Sequence, residues 1–449
     1  MKQGTMVRFR FSATPALCGG LLAGALVWSL LAADAPPPTP QGKHGDASAE
    51  QQLADLQKLK LEADVTRAPA GLDPLIWAAL VPQDNPMTPQ RVELGRKLYF
   101  DTRLSQDNSV SCATCHDVTR GFTDQRAVSE GVKGQLGKRN APTTLNAALL
   151  QTFFWDGRAP TLDHQAGMPV LNPVEMGMPN EAAVLKALRE LPDYQDAFQK
   201  AYGREMNYED LGRAIAAFER TLIFVDSPFR RFLNGDAAAI SAQARAGLEL
   251  FNGKARCAAC HQMNPSNPLG TDNRFHNVGV SARHQNFAGL AQKALQALAE
   301  GASEQKLDEL AVGTDLSELG RFMVTHNRSE IGSFRTPQIL NIGITAPYMH
   351  DGSMATLWDV MDLYNKGGEA NSFLDGGIEP LALTEAEIDQ VVAFLFTLTD
   401  VRFAAQNQRQ FELQKATAKK QRPFRDEAMA LRKTLPFEQR VVGANGKDK

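Results

Sequence analysis

Two short stretches constrain this chain more than anything else in it: Cys112-Ala113-Thr114-Cys115-His116 and Cys257-Ala258-Ala259-Cys260-His261. Both read C-x-x-C-H, the attachment signature of a c-type haem. Thiols at i and i+3 lie on one face of a helical turn and can add to the two vinyl groups of the porphyrin, while the histidine at i+4 reaches the iron. A redox dithiol is a single motif beside a βαβ pattern, which this sequence lacks, and a zinc site has no need of the trailing histidine in both copies. With 5 Cys and 8 His in 449 residues, two such motifs by chance have odds on the order of one in a million. The expectation is two covalently bound haem c groups, with His116 and His261 on the two irons.

The remaining cysteine, Cys18, falls in a different kind of segment. Lys2, Arg8 and Arg10 precede an apolar stretch from Ala16 to Ala33, and Ala33-Asp34-Ala35 offers a small-x-small cleavage site, so residues 1–35 read as a secretory signal peptide. Gly19, Gly20, Gly24 and Ser29 leave that stretch short and weak for a membrane span. The expected location is periplasmic, with no integral membrane segment after cleavage, and haem c is attached outside the cytoplasm.

Hydrophobic residues at 43% and charged residues at 22% suit a soluble globular chain long enough for two domains. A net charge of -3 gives no basic field for nucleic acid. The charge is uneven: residues 401–449 hold twelve Lys and Arg against five Asp and Glu. This basic C-terminal tail is expected to be a solvated arm.

Between signal and tail the pattern is helical, with no sustained strand alternation. Thr88-Pro89 is an N-cap followed by a helix-starting proline, with Val92, Leu94, Leu98 and Phe100 as an apolar side before the first motif. Asp210 to Phe224 is a second helical pattern, and Ser241 to Phe251 leads into the second motif. Thr384-Glu385-Ala386-Glu387 is a capping box ahead of Ile388, Val391, Val392, Leu395 and Leu398. The expected fold is all-α, two cytochrome c-like haem domains packed face to face. The boundaries are a leader and linker over 36–87, an N-terminal domain over 88–235 and a C-terminal domain over 236–400 with an insertion at about 282–325.

The order of several further motifs carries a resemblance. Leu94-Gly95-Arg96, Asp101 to Ser105, Arg139-Asn140-Ala141-Pro142-Thr143, Phe154-Trp155-Asp156-Gly157-Arg158, Pro173-Val174-Glu175-Met176, Phe334-Arg335-Thr336-Pro337 and Thr345 to Gly352 surround the two C-x-x-C-H motifs. Over roughly Pro89 to Thr399 the chain resembles the bacterial dihaem cytochrome c peroxidases, including their MauG-like branch. That resemblance implies a peroxide-reactive N-terminal haem, a C-terminal haem that relays electrons, and a calcium ion between them. It implies Glu175 as the distal acid–base and Trp155 as the ring between the haems; on composition alone Glu175 would be a surface carboxylate and Trp155 a core anchor. It also implies Asn140, Thr345 and Pro347 as calcium ligands, hard oxygen donors suited to that ion.

Two positions depart from the better-known peroxidases. Where those place a histidine that caps the resting peroxidatic haem, Ser129 to Gly134 carries Val132, and no histidine lies between His116 and His164. The first haem is therefore expected to rest open. Fourteen residues after His350, where the peroxidases place a methionine on the second iron, this chain has Tyr364, as MauG does; Met361, three residues earlier on the same helix face, is the competing ligand. A phenolate favours higher iron oxidation states, whereas methionine raises the potential. His44, His164, His276, His284 and His326 make no further metal spacing and read as polar surface or local hydrogen bonders, His350 as a structural or relay residue, and Met176 and Met178 as packing.

Three readings follow. The first is a peroxidase that reduces hydrogen peroxide to water with electrons from a small periplasmic carrier, a cytochrome c or cupredoxin. The second is a MauG-like oxidase that uses peroxide-derived high-valent haem to modify side chains of a partner protein. The third is a dihaem electron-transfer cytochrome, against which Glu175 and the unblocked first haem argue.

Overall fold

Gly95 and Gly247 hold the architecture together in the same way. The helix α2 (Pro89–Tyr99) crosses α5 (Tyr208–Glu219) so closely that a Cβ on Gly95 would lie 1.8 Å from the Ala214 carbonyl oxygen, and α6 (Ala242–Asn252) crosses α9 (Glu385–Phe396) with the equivalent distance, Gly247 to Gln390, at 1.9 Å. In both crossings a phenylalanine one turn on, Phe218 or Phe394, sits 3.0 Å from the missing Cβ. Each C-x-x-C-H motif thus follows a helix that is pinned, through glycine, against a helix later in the chain.

The computed structural model describes residues 47–264, 267–283, 286–301 and 315–434, with side chains as far as 420. The expected signal peptide, His44, His284 and residues 435–449 lie outside them, as does part of the insertion. The fold is mostly helical, and the strands among the described residues are β1 (Phe275–His276) and β2 (Phe334–Arg335), paired antiparallel. No helix among the described residues is long and apolar enough to cross a membrane.

Local signals place the elements. Thr88 caps α2 by accepting from Arg91 N–H, with Pro89 in the first turn. Thr384 and Glu387 form the expected capping box of α9. The pattern expected over Asp210 to Phe224 begins earlier, at Tyr208 under an Asn207 cap, and ends at Glu219, after which the chain turns and extends. The insertion builds a small core of its own, with Phe287 and Ala291 of α7 (Phe287–Ala299) against Leu319, Phe322 and Ile331.

One segment adds to the expectation and another differs from it. The leader contains α1 (Ala49–Lys58), whose Gln52 is 3% exposed and hydrogen-bonds the Ala113 carbonyl (3.2 Å) and the Val118 N–H (3.2 Å), so it braces the first motif. The tail is not a solvated arm at its start: α10 (Ala404–Thr434) turns Gln414 and Ala418 into the body at 2% and 1% exposure. Counting charge over 401–449 hid this because the buried stripe of α10 is spaced at three and four residues, with charged residues between.

Candidate functional site

Cys112–Cys115 form a single helical turn, α3, boxed at its start by Ser111 and Thr114, and His116 follows directly. In the second motif Cys257–Ala259 form a 3-10 turn. The imidazoles are held through Nδ1. His261 Nδ1 donates to the Gly270 carbonyl at 2.7 Å and His116 Nδ1 lies 3.4 Å from the Phe122 carbonyl, which leaves Nε2 of each with the free lone pair. Burial lowers the pKa of both rings and keeps them neutral.

The four cysteines are unpaired, and burial pushes the Cys115 and Cys257 thiols up to about 12. A dithiol for redox exchange or zinc needs a depressed thiol pKa. Cys115 and Cys257 are therefore held as thiols beside a cavity.

That cavity, about 770 Å³, is lined by Cys115 and His116 from the first motif and by Cys257, Cys260 and His261 from the second. Its wall also carries an unpaired cation. Arg335 is 4% exposed, has no acidic partner among the described residues, leaves Nη1 without a hydrogen bond, and has its pKa lowered to about 10 by burial. A buried guanidinium facing an internal cavity calls for an anion, and a haem brings propionates. The donor set and this orphaned charge both fit haem.

Glu175 lines the cavity on the side of the first motif, half-buried. Its Oε1 accepts from Asn172 Nδ2 at 2.9 Å; burial raises its pKa, and the Arg158 guanidinium opposes that rise. Val132 does not reach the cavity wall. It is fully buried beneath the Glu175 loop, donating its N–H to the Glu175 carbonyl at 2.9 Å. A Cβ on Gly131 would lie 1.8 Å from the Val174 carbonyl oxygen, so the loop of Val132 and the loop of Glu175 form one unit. Gly131→Ala must push them apart, and any turnover that uses Glu175 should fall while the fold persists in circular dichroism; unchanged turnover would show that the loops move independently of the chemistry.

Trp155 links Asn140 to Arg335. Its indole N–H donates to the Asn140 carbonyl at 2.9 Å, and its own carbonyl accepts from Arg335 N–H at 2.8 Å. Asn140 commits Nδ2 to the Arg126 carbonyl (2.8 Å), which leaves Oδ1 as a free acceptor, and Asn140, Thr345 and Pro347 all line the same cavity.

On α8 (Leu357–Asn365), Met361 and Tyr364 both line the cavity one turn apart. The Tyr364 hydroxyl has no hydrogen-bond partner among the described residues. Burial, and then the nearby Cys257 and Cys260, push its phenol up. His350 lines the cavity too: it is 4% exposed, stacked on Phe334 at 3.7 Å, with Nε2 3.1 Å from Glu318 Oε2. His276 is a local hydrogen bonder, partly buried. It lines the cavity between Asp272 and Asp375, with Asp272 Oδ2 2.9 Å from Nε2, and is held as an imidazolium, pushed up to about 11.

Sequence reasoning missed Glu219. It lines the cavity at 5% exposure with Oε2 unpaired, and burial pushes its carboxyl up to about 8. The folded chain thus holds a proton that the unfolded chain releases near 4.5, so the stability tied to Glu219 falls as pH rises from about 4.5 through about 8. Glu219→Gln should remove this alkaline loss in thermal melts taken across that window; an unaltered slope would assign it to another group.

Residues 89–238 match the family described as di-haem cytochrome c peroxidase. Methylamine utilization protein MauG of Methylorubrum extorquens is 38% identical over 322 residues, 71% of this chain and 80% of its own length. The chain belongs to the dihaem cytochrome c peroxidase family. It is accordingly an oxidoreductase of the peroxidase class with two haem cofactors. Cytochrome c551 peroxidase of Pseudomonas aeruginosa is 34% identical over 70% of this chain and 80% of its own. Among solved structures, a MauG-like protein associated with microbial copper homeostasis aligns with a TM-score of 0.59 at 31% identity, covering 72% of this chain and 92% of that one.

Proposed function

We propose that this family member is a periplasmic peroxidase that reduces hydrogen peroxide to two waters with two protons and two electrons from a small cytochrome c or cupredoxin. Glu175 carries the reading: a carboxyl with a raised pKa on the cavity wall beside the first motif, with no histidine or methionine side chain from residues 129–175 reaching that wall. Haem bound to His116 would supply the open coordination position at which peroxide is polarised. Glu175 takes the proton from the inner peroxide oxygen and returns it to the outer one, which departs as water. Asn172 holds the carboxyl in place for both transfers.

In this reading 88–235 is the peroxidatic half and 236–400 the electron-transfer half, Trp155 shortens the path between them, and Asn140, Thr345 and Pro347 hold calcium. Tyr364 favours a second reading, in which the oxidising equivalents pass to side chains of a partner protein.

Covalent attachment at both motifs means that mass spectrometry of the exported chain should show two added haem masses; one haem, or zinc, would overturn the proposal. Because Val132 cannot ligate iron and is packed away from the cavity, magnetic resonance of the as-isolated diferric protein should show a high-spin first haem. Two low-spin haems would mean that another residue caps it.

A further inference from the structure

We infer that Gln414, on the C-terminal helix α10, is a positioning residue for the distal side of the second haem. The inference rests on the reading above only in that α8 supplies the distal ligand; it holds for Tyr364 and for Met361 alike.

The N-terminus of α8 explains why. The first N–H groups of a helix have no partner inside it. Thr356 and Asp359 satisfy two of them with a capping box, Asp359 Oδ2 accepting from Thr356 N–H at 2.9 Å and Thr356 Oγ1 accepting from Asp359 N–H at 3.1 Å. Leu357 N–H, at the first helical position, is left over. It donates to Gln414 Oε1 at 3.0 Å, fifty-seven residues on in the chain.

The other end of the same amide is also committed. Gln414 Nε2 lies 3.0 Å from the Tyr348 hydroxyl and donates to the Gly343 carbonyl at 3.4 Å. Tyr348 in turn donates to the Ile342 carbonyl at 3.0 Å. Leu357 N–H can only donate and the Gly343 carbonyl can only accept, so the backbone fixes which way the amide points.

Gln414 does not float on a loose arm. Phe411, one turn before it, meets Phe396 edge-on at 5.0 Å and Trp358 of α8 at 6.1 Å, and Asn407 Nδ2 donates to the Phe396 carbonyl at 2.9 Å. A buried side chain of α10 therefore ties together the start of the ligand helix and the turn that leads into Thr345 and Pro347. A displacement of α8 at Leu357 is carried down a rigid helix to Met361 and Tyr364, one and two turns further on.

The test uses the holoprotein. Gln414→Met keeps length and packing but removes every hydrogen bond, while Gln414→Glu keeps an acceptor for Leu357 N–H. In Gln414→Met the Leu357 amide should lose hydrogen-exchange protection and part of the second haem's low-spin resonance should be lost, with the first haem's signal unmoved; Gln414→Glu should recover both. Loss of amide protection with an unchanged second-haem signal would overturn the inference and leave Gln414 a packing residue. Should Gln414→Met not fold, a Gln414→Glu protein that lacks the second haem's native signal would overturn it equally, and one that keeps it would support the acceptor role. Tyr364→Phe separates the two claims: if it leaves the second haem's signal intact while Gln414→Met does not, the choice of Tyr364 fails and the role of Gln414 stands.

Discussion

Glu175→Gln should slow peroxide cleavage by ~100-fold or more, the usual worth of a positioned acid–base, while leaving peroxide access and both haem spectra in place. The substitution is nearly silent in shape. Asn172 Nδ2 donates to Glu175 Oε1 at 2.9 Å, and the amide oxygen of Gln can accept the same bond. What disappears is the titrating proton. Burial raises the Glu175 pKa against the pull of Arg158, which brings it closer to neutrality than a surface glutamate and makes both halves of the transfer accessible. Single-turnover mixing with peroxide measures the step directly. Unchanged cleavage in Glu175→Gln would assign the proton to another group, with Glu219 the first to examine, since it too lines the cavity with a raised pKa.

The second large effect belongs to Tyr364→Met. The phenol is pushed up by burial and by the neighbouring Cys257 and Cys260, so a phenolate at neutral pH can exist there only opposite a cation. Ferric iron held by His261 is that cation in the proposed arrangement. Replacing the anion with a neutral thioether should give a His/Met-type low-spin spectrum and raise the second haem's potential by a sizeable part of the roughly 0.8 V that axial ligands span. Met361→Leu should change little. The opposite pattern, with Met361→Leu shifting the spectrum and Tyr364→Met silent, would make Met361 the ligand and remove the feature that favours a protein-modifying oxidase.

The sequence carried the haem chemistry because attachment is local: two thiols and an imidazole within five residues are visible in any row of letters. Helix starts were legible for the same reason, at Thr88 with Pro89 and at Thr384 with Glu387. Motif order singled out Glu175, Trp155 and Asn140 and spacing from His350 singled out Tyr364, and the fold brings all four to one cavity. What stayed hidden depends on contacts between distant segments. Gln52 and Gln414 are ordinary polar residues until the chain folds, and then each is almost fully buried against backbone groups. Glu219 and Arg335 look like surface charges in a helix and a strand; only the tertiary structure strips them of partners and turns them toward the cavity. His276 was legible in part: its bond to Asp272 is local, four residues away, while its second carboxylate neighbour is the distant Asp375.

The central claim, an open peroxidatic site served by Glu175 and fed by a small electron donor, meets its most direct test in rapid mixing of the as-isolated diferric holoprotein with a reduced small c-type cytochrome and hydrogen peroxide. The account predicts two donor molecules oxidised for each peroxide consumed, from the first turnover and without a lag. Peroxide consumed with no donor oxidation, or a lag abolished by prior reduction of the protein, would contradict it.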